Sequence, residues 1–128
     1  MLTEPQTQIL QAAVNRIVPA DDYPNAWDAG AGEFFHCLFE REPRFLPQYQ
    51  AGLDALEAAA EASADAPFAA LDAAAQDGLL RWLEAAEDTA VFFRLLVEQT
   101  LESYYADPGN GGNRSGVSWD MIGYKVTA

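Results

Sequence analysis

The chain has one histidine and one cysteine, and the two are adjacent: His36 and Cys37. A thiol beside an imidazole suggests a nucleophile with its general base. Neighbouring residues of a helix, however, point about 100° apart and do not face each other. Because the surrounding apolar residues predict a helix, we expect a buried cysteine, a partly exposed histidine and no catalytic dyad.

Five oxygen-bearing side chains form a candidate site for a metal ion. Asp21 and Asp22 lie in one turn-rich segment, and Asp107, Asn110 and Asn113 lie in another. Oxygen ligands suit Ca²⁺, but an EF-hand loop requires alternating ligands, a central glycine and a terminal glutamate. Neither segment has that spacing. Turn formation and helix capping explain these residues more simply, so we predict no metal site.

The segment Gly109-Asn-Gly-Gly112 has the glycine content of loops that hold phosphate. Such loops connect a strand to a helix and carry a lysine at a fixed offset. This segment instead follows a predicted helix and has no such lysine. The sequence therefore predicts no catalytic, cofactor-binding or metal-binding residues, and a chain that is not an enzyme by itself.

Apolar residues recur at helical spacing through most of the chain, so we predict an all-α fold: a compact bundle of about five helices. The first helix begins with the capping-box pattern Thr3-Glu-Pro-Gln6 and ends before Pro19. A linker over 20–32, with one helical turn near Trp27, leads to the second. The other helices are predicted over 33–40, 48–62 (after a break at Pro43 and Pro47), 72–87 and 90–105. We expect one domain over 1–128, with its helical core at about 3–105.

The same spacing predicts which side chains form the core. The phenylalanines between positions 34 and 39 form a heavy apolar stripe. The last helix is apolar nearly all round from Val91 to Val97, so it should run through the middle of the bundle. Most carboxylates, among them Glu57 and Glu84, are expected on solvent-facing helix positions.

Beyond the helices, residues 106–128 combine glycines with aromatic residues. Asp107, Asn110 and Asn113 can bond neighbouring amides, and the glycines allow close backbone approach. We therefore expect an ordered C-terminal loop, with Trp119 packed on the chain's own bundle and the tip at 108–115 in contact with a partner.

The charge balance limits the classes of partner. Seven basic and twenty acidic residues give a formal net charge of −13, and the basic residues are scattered. Such a surface repels nucleic acid and anionic lipid, so we expect neither nucleic-acid binding nor membrane insertion. A positively charged protein surface is the better match. The lone cysteine excludes an internal disulfide. The N-terminal residues predict no export signal, which favours a cytoplasmic location for the sequence as written; a periplasmic location is the alternative if a signal was removed or if a partner carries one.

Three segments together resemble the gluconate 2-dehydrogenase subunit 3 family. They are Ile17-Val-Pro-Ala-Asp-Asp22, Glu102-Ser-Tyr-Tyr-Ala-Asp-Pro-Gly-Asn-Gly-Gly-Asn113 and Trp119-Asp-Met-Ile-Gly-Tyr124, with a phenylalanine-led element near Phe68. The resemblance spans nearly the whole chain. It implies a small helical subunit without a cofactor, bound to a large FAD-containing dehydrogenase of the glucose-methanol-choline type and often to a cytochrome c subunit. In several members a twin-arginine signal lets the small subunit escort its partner across the membrane to the periplasm.

We predict that the partner contacts residues of the C-terminal loop and of the linker before Trp27. The predicted contact residues are Asp21, Asp22, Tyr105, Asp107, Pro108, Asn110, Gly111, Gly112, Asn113 and Trp119. An alternative from another class is a stand-alone small enzyme or ligand-binding protein with a pocket under the loop. Asp21, Asp22, Asp107 and Tyr105 would line that pocket. A homo-oligomeric scaffold is a third possibility.

Overall fold

The computed structural model describes residues 1–21 and 23–105, and these form helices and turns without a strand. Five α-helices follow one another, with a π-turn before the second and a short 3₁₀ turn before the fourth. They are α1 (Glu4–Ile17), the π-turn (Trp27–Ala31), α2 (Gly32–Arg41), α3 (Phe45–Ala64), the 3₁₀ turn (Phe68–Ala70), α4 (Ala73–Ala85) and α5 (Ala90–Tyr105). The predicted all-α bundle of about five helices is confirmed. No helix in this part of the chain has both the length and the apolar character needed to cross a bilayer.

Local capping chemistry fixes the start of α1, as the sequence predicts. The Thr3 hydroxyl accepts a hydrogen bond from the Gln6 backbone amide at 3.3 Å. The Gln6 side-chain oxygen accepts one from the Thr3 amide at 3.0 Å, which completes the capping box. Asp72 caps α4 with its side chain alone, because its carboxylate accepts a hydrogen bond from the Ala75 amide at 2.8 Å.

Helix α3 begins earlier than its predicted start at position 48. It starts at Phe45, so Pro47 lies within its first turn and does not break it. The first amides of a helix have no partner in the helix, and a proline there removes no hydrogen bond. Glu57 on α3 is also not a solvent-facing carboxylate, because its Oε1 accepts a hydrogen bond from the Phe68 amide at 2.7 Å.

Aromatic rings from α2, α3 and α5 meet in the centre of the core. Tyr49 has no exposed surface, and its ring centroid lies 5.3 Å from Phe35, 5.2 Å from Phe39 and 5.2 Å from Phe92. A Cβ atom on Gly52 would lie only 2.3 Å from the Phe92 ring. The close approach of α5 to α3 therefore depends on glycine at this position.

The inward side of α5 carries both apolar and polar side chains, among them Phe92, Leu96 and Gln99. The Tyr49 hydroxyl donates to Oε1 of Gln99 at 2.7 Å inside the core. Burial, and secondarily the negative charge of Glu102, raises the pKa of Tyr49. As expected of a central helix, α5 contacts α1, α3, α4 and the π-turn. It is not buried all round, however: Val91 is 64% exposed and Leu101 is 38% exposed.

One ion pair joins the end of α1 to α4. Arg16 Nε donates to Asp77 Oδ1 at 2.8 Å, and Arg16 Nη2 donates to Asp77 Oδ2 at 3.1 Å. The guanidinium hydrogen bonds lower the pKa of Asp77. The two parallel hydrogen bonds give this contact between α1 and α4 a defined geometry.

Candidate functional site

Two of the ten predicted contact residues, Asp21 and Tyr105, lie in the part of the chain that the structure describes. The other eight lie outside it: Asp22, Asp107, Pro108, Asn110, Gly111, Gly112, Asn113 and Trp119. The predicted ordered loop over 106–128 also lies outside the described residues. The contacts expected of these residues stay predictions.

The end of α5 packs on the linker that precedes the π-turn. The Tyr104 hydroxyl donates to the Pro24 carbonyl oxygen at 2.9 Å. Burial raises the pKa of Tyr104, and the negative charge of Asp21 and then the nearby Tyr105 raise it further. Asp21 closes a tight turn by accepting a hydrogen bond from the Tyr23 amide at 3.0 Å. Asp21 and Tyr105, the two described members of the predicted set, thus both influence the Tyr104 hydroxyl.

The π-turn follows this junction and positions Trp27. The backbone amide of Trp27 donates to Oδ1 of Asn15 on α1 at 3.0 Å. Gly30 has φ of 115°, a left-handed conformation that favours glycine. The Trp27 ring then lies across Gly32 at the start of α2, where an added Cβ would be 2.9 Å from the nearest ring atom. Trp27 is therefore held between α1 and α2.

Trp27 forms one wall of a groove of about 810 Å³. We use the term groove for the space between the N-terminal part of α1, the π-turn and α2. Its floor consists of the buried side chains Leu10, Phe35 and Phe39. Leu2, Thr7, Trp27 and Cys37 are half-buried along its sides. Neither Asp21 nor Tyr105 lines it, so it is not the pocket that the alternative hypothesis expected.

The lining of the groove carries charged groups of both signs. Asp28 and Glu33 are exposed carboxylates in its lining, and the α-amino group of Met1 lies in the same lining; within 1–21 and 23–105 no lysine or arginine joins them. His36 is also in the lining, and its Nε2 lies 2.8 Å from Oε1 of Glu40, one turn further along α2.

Cys37 differs from its prediction. It is half-buried rather than buried, because the α2 face that carries it borders the groove instead of the core. The His36 imidazole is 63% exposed and pairs with Glu40. Within 1–21 and 23–105, no three histidine, cysteine, aspartate or glutamate residues are grouped so that they could hold a metal ion.

The groove was not predicted from the sequence, although one signal pointed toward it. Leu2 precedes the cap of α1, and Trp27 stands in a linker otherwise rich in turn-forming residues. Large apolar residues outside the helical periodicity need a surface to pack on or to present. Both residues lie along the sides of the groove.

The sequence model of the family described as Gluconate 2-dehydrogenase subunit 3 matches residues 4–125. The match covers all five helices and most of the C-terminal segment. A search of the curated proteins and a search of the solved structures gave no match.

Proposed function

Because the chain belongs to the gluconate 2-dehydrogenase subunit 3 family, we propose that it is a non-catalytic subunit that binds and stabilises a large FAD-dependent dehydrogenase. The partner would be of the glucose-methanol-choline type and would oxidise a sugar or polyol. FAD would belong to the partner, and a cytochrome c subunit would accept the electrons. The observation that carries this proposal is the family match over 4–125.

Several side chains that could take part in catalysis instead form contacts that stabilise the fold, which supports a binding role. His36 pairs with Glu40, and Glu57 holds the backbone of the 3₁₀ turn. Arg16 is engaged by Asp77. A nucleophile needs a base within hydrogen-bond reach and a third group that orients the base, and the adjacent His36 and Cys37 do not form such an arrangement.

The junction between α5 and the linker supports a shared docking surface. The Tyr104–Pro24 hydrogen bond joins the end of α5 to the linker three residues after Asp21, and the charge of Asp21 acts on Tyr104. We propose that the partner contacts both the linker over 19–27 and the segment over 107–119. In this view the subunit stabilises the folded large subunit, and in members with an export signal it also acts as an escort.

The proposal is tested by co-expressing a tagged form of this chain with the large flavoprotein encoded beside it. We expect the tag to capture a protein with flavin absorbance, while the isolated chain binds no FAD and oxidises no sugar. Replacing Gly111 and Gly112 by bulkier residues should reduce capture without changing the helical content. Turnover by the isolated chain, or FAD bound to it, would refute the proposal and favour the stand-alone alternative.

A further inference from the structure

We propose that the chain's own residues 117–126 occupy the groove, with Trp119 as their main anchor. This segment lies outside the described residues, and a glycine-rich stretch connects it to α5. The inference concerns the chain by itself and does not depend on the large subunit. It leaves the tip at 108–115 available to that partner.

The groove gathers apolar surface in one concave place. Leu10, Phe35 and Phe39 form the floor, and Leu2 and Trp27 lie along the sides. A volume of about 810 Å³ has room for more than one large side chain. A second cavity, of about 290 Å³, is smaller, and its lining includes polar side chains of α1. An apolar concavity of this size is typical of a surface that another segment covers.

The end of α5 brings the start of the C-terminal segment near the groove. The Tyr104 hydroxyl donates to the Pro24 carbonyl oxygen at 2.9 Å, and Trp27, a wall of the groove, is three residues further along the chain. The Cα atoms of Pro24 and Trp27 are therefore within about 11 Å of each other. Residues 106–116 precede the proposed occupant, and a stretch of that length spans up to about 36 Å when extended. The occupant can thus reach the groove without any change in the bundle.

The composition of the occupant suits the lining. Six of its ten residues are apolar or aromatic: Val117, Trp119, Met121, Ile122, Tyr124 and Val126. Its two charged residues, Asp120 and Lys125, have opposite signs, and so do the charged groups of the lining. Glu33 in the lining already has a partner. Connectivity and apolar character, and not charge, therefore select the occupant.

Tethering makes this occupant a strong competitor for the groove. A segment joined to the bundle by a short connection has an effective concentration on the order of millimolar at a site within its reach, so modest apolar contacts are sufficient. The family model also runs from residue 4 to residue 125 without ending at α5. The segment thus belongs to the same family unit as the bundle, which favours packing on it.

Nuclear Overhauser contacts in the isotope-labelled full chain test the placement directly. We expect contacts from side-chain protons of 117–126, above all from the Trp119 indole, to Leu2, Leu10 or Phe35. A mixture of labelled and unlabelled chains separates contacts within one chain from contacts between two chains. The absence of any contact within one chain between 117–126 and the lining would overturn the inference.

The reactivity of Cys37 gives a second measurement. It is the only cysteine of the chain, and it lines the groove half-buried. The rate of N-ethylmaleimide addition to Cys37 is measured by mass spectrometry in the unchanged chain, in Trp119→Ser and in Trp82→Ser. Trp82 is the matched control, because it is 45% exposed on α4 and outside the lining. Far-UV circular dichroism confirms the helical content of each variant.

We expect Trp119→Ser to raise the rate about tenfold or more, because the reagent must reach the thiolate, and Trp82→Ser to leave it unchanged. Equal rates in the two variants would overturn the inference. If Cys37 becomes less reactive as the chain concentration rises, a second copy covers the groove. If Cys37 reacts as fast in the unchanged chain as in Trp119→Ser and slowly only in the purified complex, the large subunit covers it. Either of these two results would also overturn the inference.

The outcomes are separate from those of the proposed function. Capture of the large flavoprotein tests the proposed function, whereas both measurements on the groove are made in the isolated chain. A chain that captures the flavoprotein without contacts between 117–126 and the lining would refute only this inference. A chain that shows those contacts and captures no flavoprotein would refute only the proposed function.

Discussion

Two glycines in helix interiors offer a matched test of the packing between α3 and α5. Gly52 lies in α3 and Gly78 in α4. A Cβ atom on Gly52 would lie 2.3 Å from the nearest atom of the Phe92 ring, whereas a Cβ atom on Gly78 would meet nothing within 4 Å. The same substitution to alanine is therefore expected to have opposite effects at the two positions.

The magnitude at Gly52 follows from the geometry. Carbon atoms pack at about 3.5–4.0 Å, so the Phe92 ring must move by more than about 1 Å. The ring is only 8% exposed, and Tyr49 packs against it edge to face at 5.2 Å. Overpacking of this kind costs about 2–3 kcal/mol, and alanine returns about 1 kcal/mol through its higher helix propensity. The net loss in the free energy of unfolding is about 1–2 kcal/mol.

Gly78→Ala should instead raise the free energy of unfolding by roughly 0.5–1 kcal/mol, because only the backbone entropy changes. In a chain of this size about 1 kcal/mol corresponds to roughly 4 °C in Tm. Urea unfolding followed by far-UV circular dichroism, together with calorimetry, measures both values. If Gly52→Ala stabilised the chain as Gly78→Ala does, the Phe92 ring would not lie across Gly52, and the description of the core would be wrong.

Three further predictions concern polar groups. Asp77→Asn should lower the free energy of unfolding by about 0.5–1 kcal/mol at neutral pH. Because the folded state lowers the pKa of Asp77, this contribution is present above about pH 4 and is lost as the pH falls through the lowered pKa; a deficit in urea unfolding that persists in acid would contradict this. The folded state raises the pKa of Tyr49, so its contribution is present below about pH 10, the ordinary pKa of tyrosine, and is lost above it. Tyr49→Phe should therefore make unfolding less dependent on pH in that alkaline range, and it should lower stability by about 1 kcal/mol at neutral pH because the Gln99 oxygen loses its donor; an unchanged alkaline slope would refute this. Tyr104→Phe should speed hydrogen exchange of the amides over 23–29, while the amides of α3 keep their rates. Equal protection of 23–29 in the unchanged chain and in the variant would show that the hydroxyl does not hold the linker.

The parts of the fold that follow local rules were predictable from the sequence. The Thr3 capping box, the Asp72 cap and the helical turn near Trp27 depend on residues a few positions apart, and all three are present. The start of α3 was missed because Pro47 suggests a break, although a proline is compatible with the first turn of a helix.

Features that depend on packing between distant residues were not predictable from the sequence. Glu57 has the appearance of a surface carboxylate, and only the position of the 3₁₀ turn shows that it caps a backbone amide there. Cys37 borders the groove because α1, the π-turn and α2 meet at an angle that no local pattern encodes. The same holds for Gln99, a polar residue that faces the core because Tyr49 lies opposite it.

The hydrogen bond from Tyr104 to Pro24 joins positions 80 residues apart along the chain. During synthesis the linker leaves the ribosome long before α5, so this hydrogen bond cannot form until the last helix has been made. Trp27 follows Pro24 by three residues, and α5 also contacts the π-turn. A nascent chain without α5 can keep the Asn15 hydrogen bond to Trp27, but it lacks the support of α5 behind that wall of the groove. A partner that recognises the finished wall would consequently bind completed chains and pass over unfinished ones.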